Sequence, residues 1–172
     1  MGASVILSTL LSAALGAPLP DGQAHALSAM RAREIFATLK SLQGRWRGRS
    51  TRGWTEEATI RVIARGSVVE MASFDAHPGE QMRTLFHLDG DRLLLTHYCV
   101  ARNQPRLVAR HEGGEGIRFE FLDATGIASR DQGHMDKAVY RFVDADHFVT
   151  RWTWYQDGRE SWMEEIAMER LP

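Results

Sequence analysis

Two hydrophobic periods divide the chain. Between residues 27 and 42, apolar side chains fall at Leu27, Met30, Ile35, Leu39 and Leu42, close to the spacing of one helix face, with Arg31, Arg33, Glu34 and Lys40 on the others. This predicts one amphipathic helix over 27–42. After Gln43 the period shortens to two, and about ten short runs rich in Val, Ile, Phe, Tyr, Trp and Thr follow, at 44–50, 56–64, 67–75, 81–88, 92–100, 106–112, 116–123, 137–143, 148–156 and 159–170. Asp89-Gly90, Gly113-Gly114 and Asp157-Gly158 supply the positive φ that two-residue hairpins need, so neighbouring strands are expected to run antiparallel. The longest connection, 124–135, has room for a helical turn or a lid but not for a crossover helix. A meander of this many strands either leaves two long edges exposed or closes on itself. The expected fold is therefore all-β: a single antiparallel up-and-down barrel of about ten strands over 43–172, preceded by one N-terminal helix.

Composition leaves this picture standing and removes some partners. At 172 residues, with 44% apolar and 25% charged side chains, the chain suits one globular domain with enough material for a core and a cavity. Lys plus Arg number 21 and Asp plus Glu 22, so no excess of positive charge is available for a phosphate backbone, and nucleic acid is not expected. Oligomeric state is left open, a homodimer included. Residues 1–26 differ from the rest. The run from Val5 to Ala17 is apolar, small and too short to span a bilayer comfortably, and Ala24-His25-Ala26 has the small-x-small form of a signal-peptidase site. That reads as export, to a periplasmic or secreted location. No Lys or Arg precedes the apolar run, so a disordered N-terminal segment is the competing reading. The single Cys99 cannot form an internal disulfide and does not settle the compartment.

The run Leu42-Gln43-Gly44-Arg45-Trp46-Arg47-Gly48, with Arg170 closing the last strand, resembles the Gly-x-Trp and terminal Arg of the lipocalin and calycin barrels. The resemblance implies a structural pair: Trp46 plugging one end of the barrel, with the Arg170 guanidinium laid against its indole and bonded to nearby carbonyls. The opening is also similar to that of nitrobindin-like proteins and of bacterial calycin-like families without an assigned activity. The blocks Thr96-His97-Tyr98-Cys99, Asn103-Gln104-Pro105, Gly133-His134-Met135 and Asp144-Ala145-Asp146-His147 resemble the latter. The haem-ligand context of nitrobindin is not matched, so the resemblance carries over no cofactor.

Candidate chemistry lies where the barrel pattern is interrupted. Alternation along Leu93, Leu95, His97 and Cys99 places the imidazole and the thiol on one face, read as inward, and His134 and His147 would converge on them from neighbouring loops. Asn103 could present its amide at the same mouth, or simply order a turn. Phe148, Trp152 and Trp154 share a parity and would line the interior. One carboxylate of each pair Glu56-Glu57 and Glu164-Glu165 must point inward if those runs are regular strands, and a buried Glu would call for a cation such as Arg83 or Arg141. No His-x-x-x-His or Cys-x-x-Cys spacing is present, and no metal is assigned. The ligand-contacting set is thus His97, Cys99, Asn103, His134, His147 and Trp152. The leading expectation is a container for a small, largely apolar molecule with a His-containing polar mouth. A cavity enzyme using His acid/base groups (isomerase, cyclase or lyase type) and a packed structural domain are the alternatives.

Overall fold

Ten strands form where the period of two and the turn residues place them. The computed structural model describes residues 27–111 and 116–172. The order is α1 (Ala29–Ser41), β1 (Gly44–Ser50), β2 (Thr55–Ile63), β3 (Val68–Ser73), β4 (Met82–Asp89), β5 (Arg92–Tyr98), β6 (Gln104–His111), β7 (Gly116–Thr125), β8 (His134–Phe142), β9 (His147–Gln156) and β10 (Arg159–Arg170). Each strand pairs antiparallel with its sequence neighbours, and β1 also pairs with β10, so the sheet is a closed barrel. Asp157 and Gly158 take φ of 51° and 74°, the doubly positive turn that a two-residue hairpin demands. Residues 1–26 and Gly113-Gly114 lie outside the described residues, and among those described no helix is long and apolar enough to cross a membrane.

Closure is locked at one end. Trp46 is fully buried; its indole Nε1 donates to the Leu42 carbonyl at 2.8 Å, and its ring meets Phe148 edge-on at 4.7 Å. The Arg170 guanidinium lies 4.3 Å from the indole centre. It donates to Gln43 O at 2.8 Å, Ser41 O at 3.3 Å, Ala145 O at 2.7 Å and the Asp146 carboxylate at 2.9 Å. One side chain thus ties the end of α1, the start of β1 and the β8–β9 turn together. Gly44 is required here: its φ is 143°, and a Cβ would sit 2.8 Å from Arg170 Nη1.

Helix α1 lies at the same end, starting at an N-cap in which Ser28 accepts from the Arg31 N–H. Its buried stripe is Ala32, Ile35, Phe36 and Leu39, continuous with Leu42 and Trp46 in one core cluster. Met30, expected on that stripe, is 69% exposed. At about 100° per residue it stands well off the line through Ile35 and Leu39, and Ala32 and Phe36 take the face instead. The connection expected at 124–135 is shorter than its sequence suggested, because β8 already begins at His134.

Inside the barrel, rings stack upward from the plug. Phe148 leads to Tyr140, which meets Phe86 at 5.4 Å and Trp152 at 6.3 Å; Trp152 in turn meets His97 at 4.9 Å. The closed half is therefore packed solid, and any free space lies in the other half. Three register shifts, at Arg106/Leu107, Met135/Lys137 and Trp162/Glu164, all fall toward that open end. Bulges there bend the strands and re-aim side chains: Trp162 is left 52% exposed, while Ile166 beyond the bulge is buried.

Removing the clamp leaves several carbonyls and one indole face without their partner. Arg170→Ala is expected to lower stability by about 3 kcal/mol, and Arg170→Lys to recover only part of it, since an ammonium cannot reproduce the planar fork. Urea denaturation with an unchanged m-value measures this; a loss under about 0.5 kcal/mol for Arg170→Ala contradicts the assigned role.

Candidate functional site

Alternation on β5 buries Leu93, Leu95 and His97 in the interior, as read from the sequence, with His97 only 5% exposed. His97 and Trp152 line a cavity in the open half together with Glu56, Met71, Thr84, Met135, Tyr140, Thr150 and Ile166. Ser73, Phe74, Met82 and Glu164 complete the wall. The cavity is narrow, with about 40 Å³ open to the centre of a water molecule. That admits a few waters or one small head group; anything bulkier requires the thioethers of Met71, Met82 and Met135 to move, which their unbranched chains allow.

The polar groups on this cavity are under-partnered. Among the described residues, five buried side-chain atoms lack a hydrogen-bond partner, and three of them belong to cavity residues: Glu56 Oε2, His97 Nε2 and the Tyr140 hydroxyl. Leaving a buried polar atom unbonded costs about 1–3 kcal/mol, so three around one space are not incidental to packing. His97, a wall residue, is held through Nδ1, 3.0 Å from the Thr84 hydroxyl, while Nε2 is left without a partner. Burial lowers its pKa to about 4, and the ring is neutral near pH 7. Burial pushes the Tyr140 hydroxyl above its usual range, with the Glu56 charge adding to it.

Glu56 is the residue whose partner the sequence misjudged. It is 3% exposed, and no arginine reaches it: Arg83 stands on the outer wall bonded to Asp75 at 2.7 Å, and Arg141 is exposed. Its charged neighbour is another carboxylate, Glu164, which accepts from the Ser50 hydroxyl at 2.7 Å. Burial first and the Glu164 charge second raise the Glu56 pKa to about 7, against a bond from the Phe74 backbone N–H that lowers it. Phe74 itself has φ of 61°, a left-handed conformation costly for a bulky residue and found here at the cavity wall. Gly48 makes room for this carboxylate: a Cβ there would lie 2.8 Å from Glu56 Cγ, Ile166 Cγ2 and Met168 Sδ. Glu56 and Gly48 are directly paired across β1 and β2, a small–large complementarity that was present in the sequence but invisible without the register.

The other expected ligand contacts are placed elsewhere. His134 and Asn103 belong to the opposite side of the open end, where β7 and β8 part after Glu120↔Lys137. There Arg130 fills the gap, its guanidinium 4.2 Å from the Phe121 ring centre and 3.8 Å from that of Tyr155, paired with the buried Asp136. The His134 ring is fully spent: Nδ1 donates to Gln132 O at 2.6 Å, and Nε2 accepts from Arg130. Asn103 donates to Gly133 O at 2.9 Å and braces the same connection. Cys99 is half-buried, packs against the core rather than lining the cavity, and burial raises its thiol pKa. His147 does not converge with the others at all. It opens β9 at the closed end, exposed, with Nδ1 2.9 Å from Asp144, because the strand runs from the plug toward the mouth and not the reverse. Among the described residues no group of three or more His, Cys, Asp or Glu gathers closely enough to hold a metal ion.

Fold and site together define a closed ten-stranded barrel whose open half encloses a small acidic and aromatic cavity. By sequence the chain matches no family profile and no curated protein. By structure it is similar to a crystal structure of a protein of unknown function from the DUF3598 family of Nostoc punctiforme. The TM-score is 0.52 at 12% identity, over 77% of this chain and 49% of that one, so this chain spans about half its length. The similarity concerns the fold alone and is consistent with a calycin-like barrel.

The buried carboxyl makes stability pH-dependent with a definite sign. Because the folded pKa lies above the ordinary value of 4.5, Glu56 favours the fold fully at low pH, and that contribution is lost as pH rises through about 7. His97 acts oppositely, since its depressed pKa withdraws stability as pH falls from 6.5 toward 4. The two are separated by a difference profile. Glu56→Gln is expected to gain on the wild type by about 2–3 kcal/mol between pH 5 and 8, read as thermal midpoints across that range. A flat difference would mean that Glu56 is not the buried acid described.

Proposed function

We propose that the protein holds a small, largely apolar molecule in the open half of the barrel, its polar end on Glu56, His97 and Tyr140. One observation carries this reading: three buried, unbonded polar atoms belong to residues lining a single cavity, which Trp152, Phe74 and methionine side chains also wall. A bound head group would supply the missing hydrogen bonds while its tail covers the apolar wall. In this reading the chain is a lipocalin-like container of the calycin kind. Asn103 and His134 brace the mouth rather than touch the ligand, and export after Ala26 would place the protein in the periplasm or outside the cell.

A second reading has its own support. A carboxyl with a pKa of about 7 and an imidazole with an unbonded nitrogen, both on the wall of one cavity, are suited to moving a proton at a bound molecule, as an isomerase, cyclase or lyase requires. It depends on Glu56 with His97, since His134 is spent and His147 stands at the other end.

Native mass spectrometry of gently purified protein, with thermal-shift screening of small apolar compounds bearing one polar group, tests the container. Binding is expected, weakened about tenfold by Tyr140→Phe and again by His97→Phe. No co-purifying molecule and no stabilised compound would defeat it, and Glu56-dependent conversion of a bound compound would establish the second reading instead.

A further inference from the structure

Every formal charge on the cavity wall is negative. Glu56 from β2 and Glu164 from β10 face it, and among the described residues no Lys or Arg lines it. The arginines near the rim are engaged elsewhere, Arg52 on the Met163 carbonyl and Arg83 on Asp75. The other titratable groups on the cavity wall are Tyr140 from β8, which feels the Glu56 charge, and His97 from β5. Of the remaining strands, β3 lines the cavity with Met71 and Ser73, β4 with Met82 and Thr84, and β9 with Thr150 and Trp152, none of them charged, and Gly48 of β1 packs against Glu56. A buried carboxylate beside a second one lacks a countercharge, and the fold supplies none. An anionic head group would add to the repulsion, and a neutral one would leave it in place. A cation would remove it.

The chemistry of the lining suits one kind of cation. An ammonium offers three N–H donors, and three residues of the cavity wall carry a buried unbonded atom able to accept one: Glu56 Oε2, Tyr140 Oη and His97 Nε2. His97 Nε2 accepts when Nδ1–H donates to the Thr84 hydroxyl, the contact present at 3.0 Å. The rings of Trp152, Tyr140 and Phe74 on the same wall are favourable surfaces for a positive nitrogen. The narrow space, about 40 Å³ open to the centre of a water molecule, favours a compact head group over a guanidinium or quaternary nitrogen. Building on the container reading, we infer that the cavity selects a primary ammonium on a slim apolar tail, with Glu56 as its countercharge. Only ionised Glu56 can serve, so binding an ammonium releases the Glu56 proton whenever the pH lies below its pKa. Affinity then falls as the pH drops, by about tenfold between pH 8 and 6.

Titration of the full chain with hexylamine, hexanol and hexanoate, followed by calorimetry at pH 6 and 8, separates the possibilities. Hexylamine is expected to bind at least tenfold tighter than hexanol at pH 8, with hexanoate weakest, and to lose about tenfold on moving to pH 6. Glu56→Gln should erase both the preference and the pH dependence while its thermal midpoint at pH 8 rises, which shows that the fold is intact. Hexanol or hexanoate binding as tightly as hexylamine, or a preference surviving in Glu56→Gln, overturns the ammonium assignment and leaves the container reading standing. Absence of binding by all three probes overturns the ammonium assignment; with no co-purified molecule in the native mass spectrum as well, the container reading falls with it.

Discussion

The barrel depends on the Arg170 guanidinium lying across the Trp46 indole. A closed sheet has no edge from which to fray, but closure must bring the first and last strands together against the entropy of all the chain between them. Trp46 and Arg170 are directly paired in the β1–β10 register, so the clamp sits on the seam itself. Its bonds to Ser41, Gln43, Ala145 and Asp146 fasten the helix and the β8–β9 turn to that seam. Arginine suits the position because its planar fork reaches several acceptors while its face stays against the ring.

With one end sealed, the interior is filled from the plug upward. Phe148 and Phe86 fill the closed half, and Tyr140 and Trp152 carry the aromatic column up to the cavity wall, which they share with His97 and Glu56. There the packed rings give way to polar atoms with no partner, one of them the hydroxyl of Tyr140. Such atoms work against the fold, and the rest of the structure tolerates them because the clamp and the aromatic column over-determine the barrel. Local rules are broken in the same place: Phe74 is left-handed, Gly48 interrupts a strand to admit a carboxylate, and the bulges cluster toward the mouth. Departures from consistency that gather around one cavity are what a site would leave in a structure.

Much of this could be read from the residues in order. Strand positions, hairpin turns and the inward direction of His97 and Trp152 follow from a period of two and a few turn residues, and the Trp46–Arg170 pair was implied by the resemblance of Gly-x-Trp and a terminal Arg to the lipocalin and calycin barrels. The errors have physical causes. Met30 looked helical-apolar because its spacing to Leu27 and Ile35 was approximate, whereas Ala32 and Phe36 hold the true stripe. His147 was grouped with His97 and His134 by residue type, although alternate strands of a meander begin at opposite ends, and His147 opens one that starts at the plug. Glu56 was expected to have a cation because buried carboxylates usually do, and its neighbour is Glu164.

The sequence by itself determined the barrel, because alternation and turn chemistry are properties of adjacent residues and survive in any order-preserving reading. Which side chains share the cavity was decided only in three dimensions. Glu56, His97, Tyr140 and Glu164 come from four strands, and closure, register and bulges set which of them meet. Those quantities belong to the whole sheet, so no local stretch of sequence encodes them.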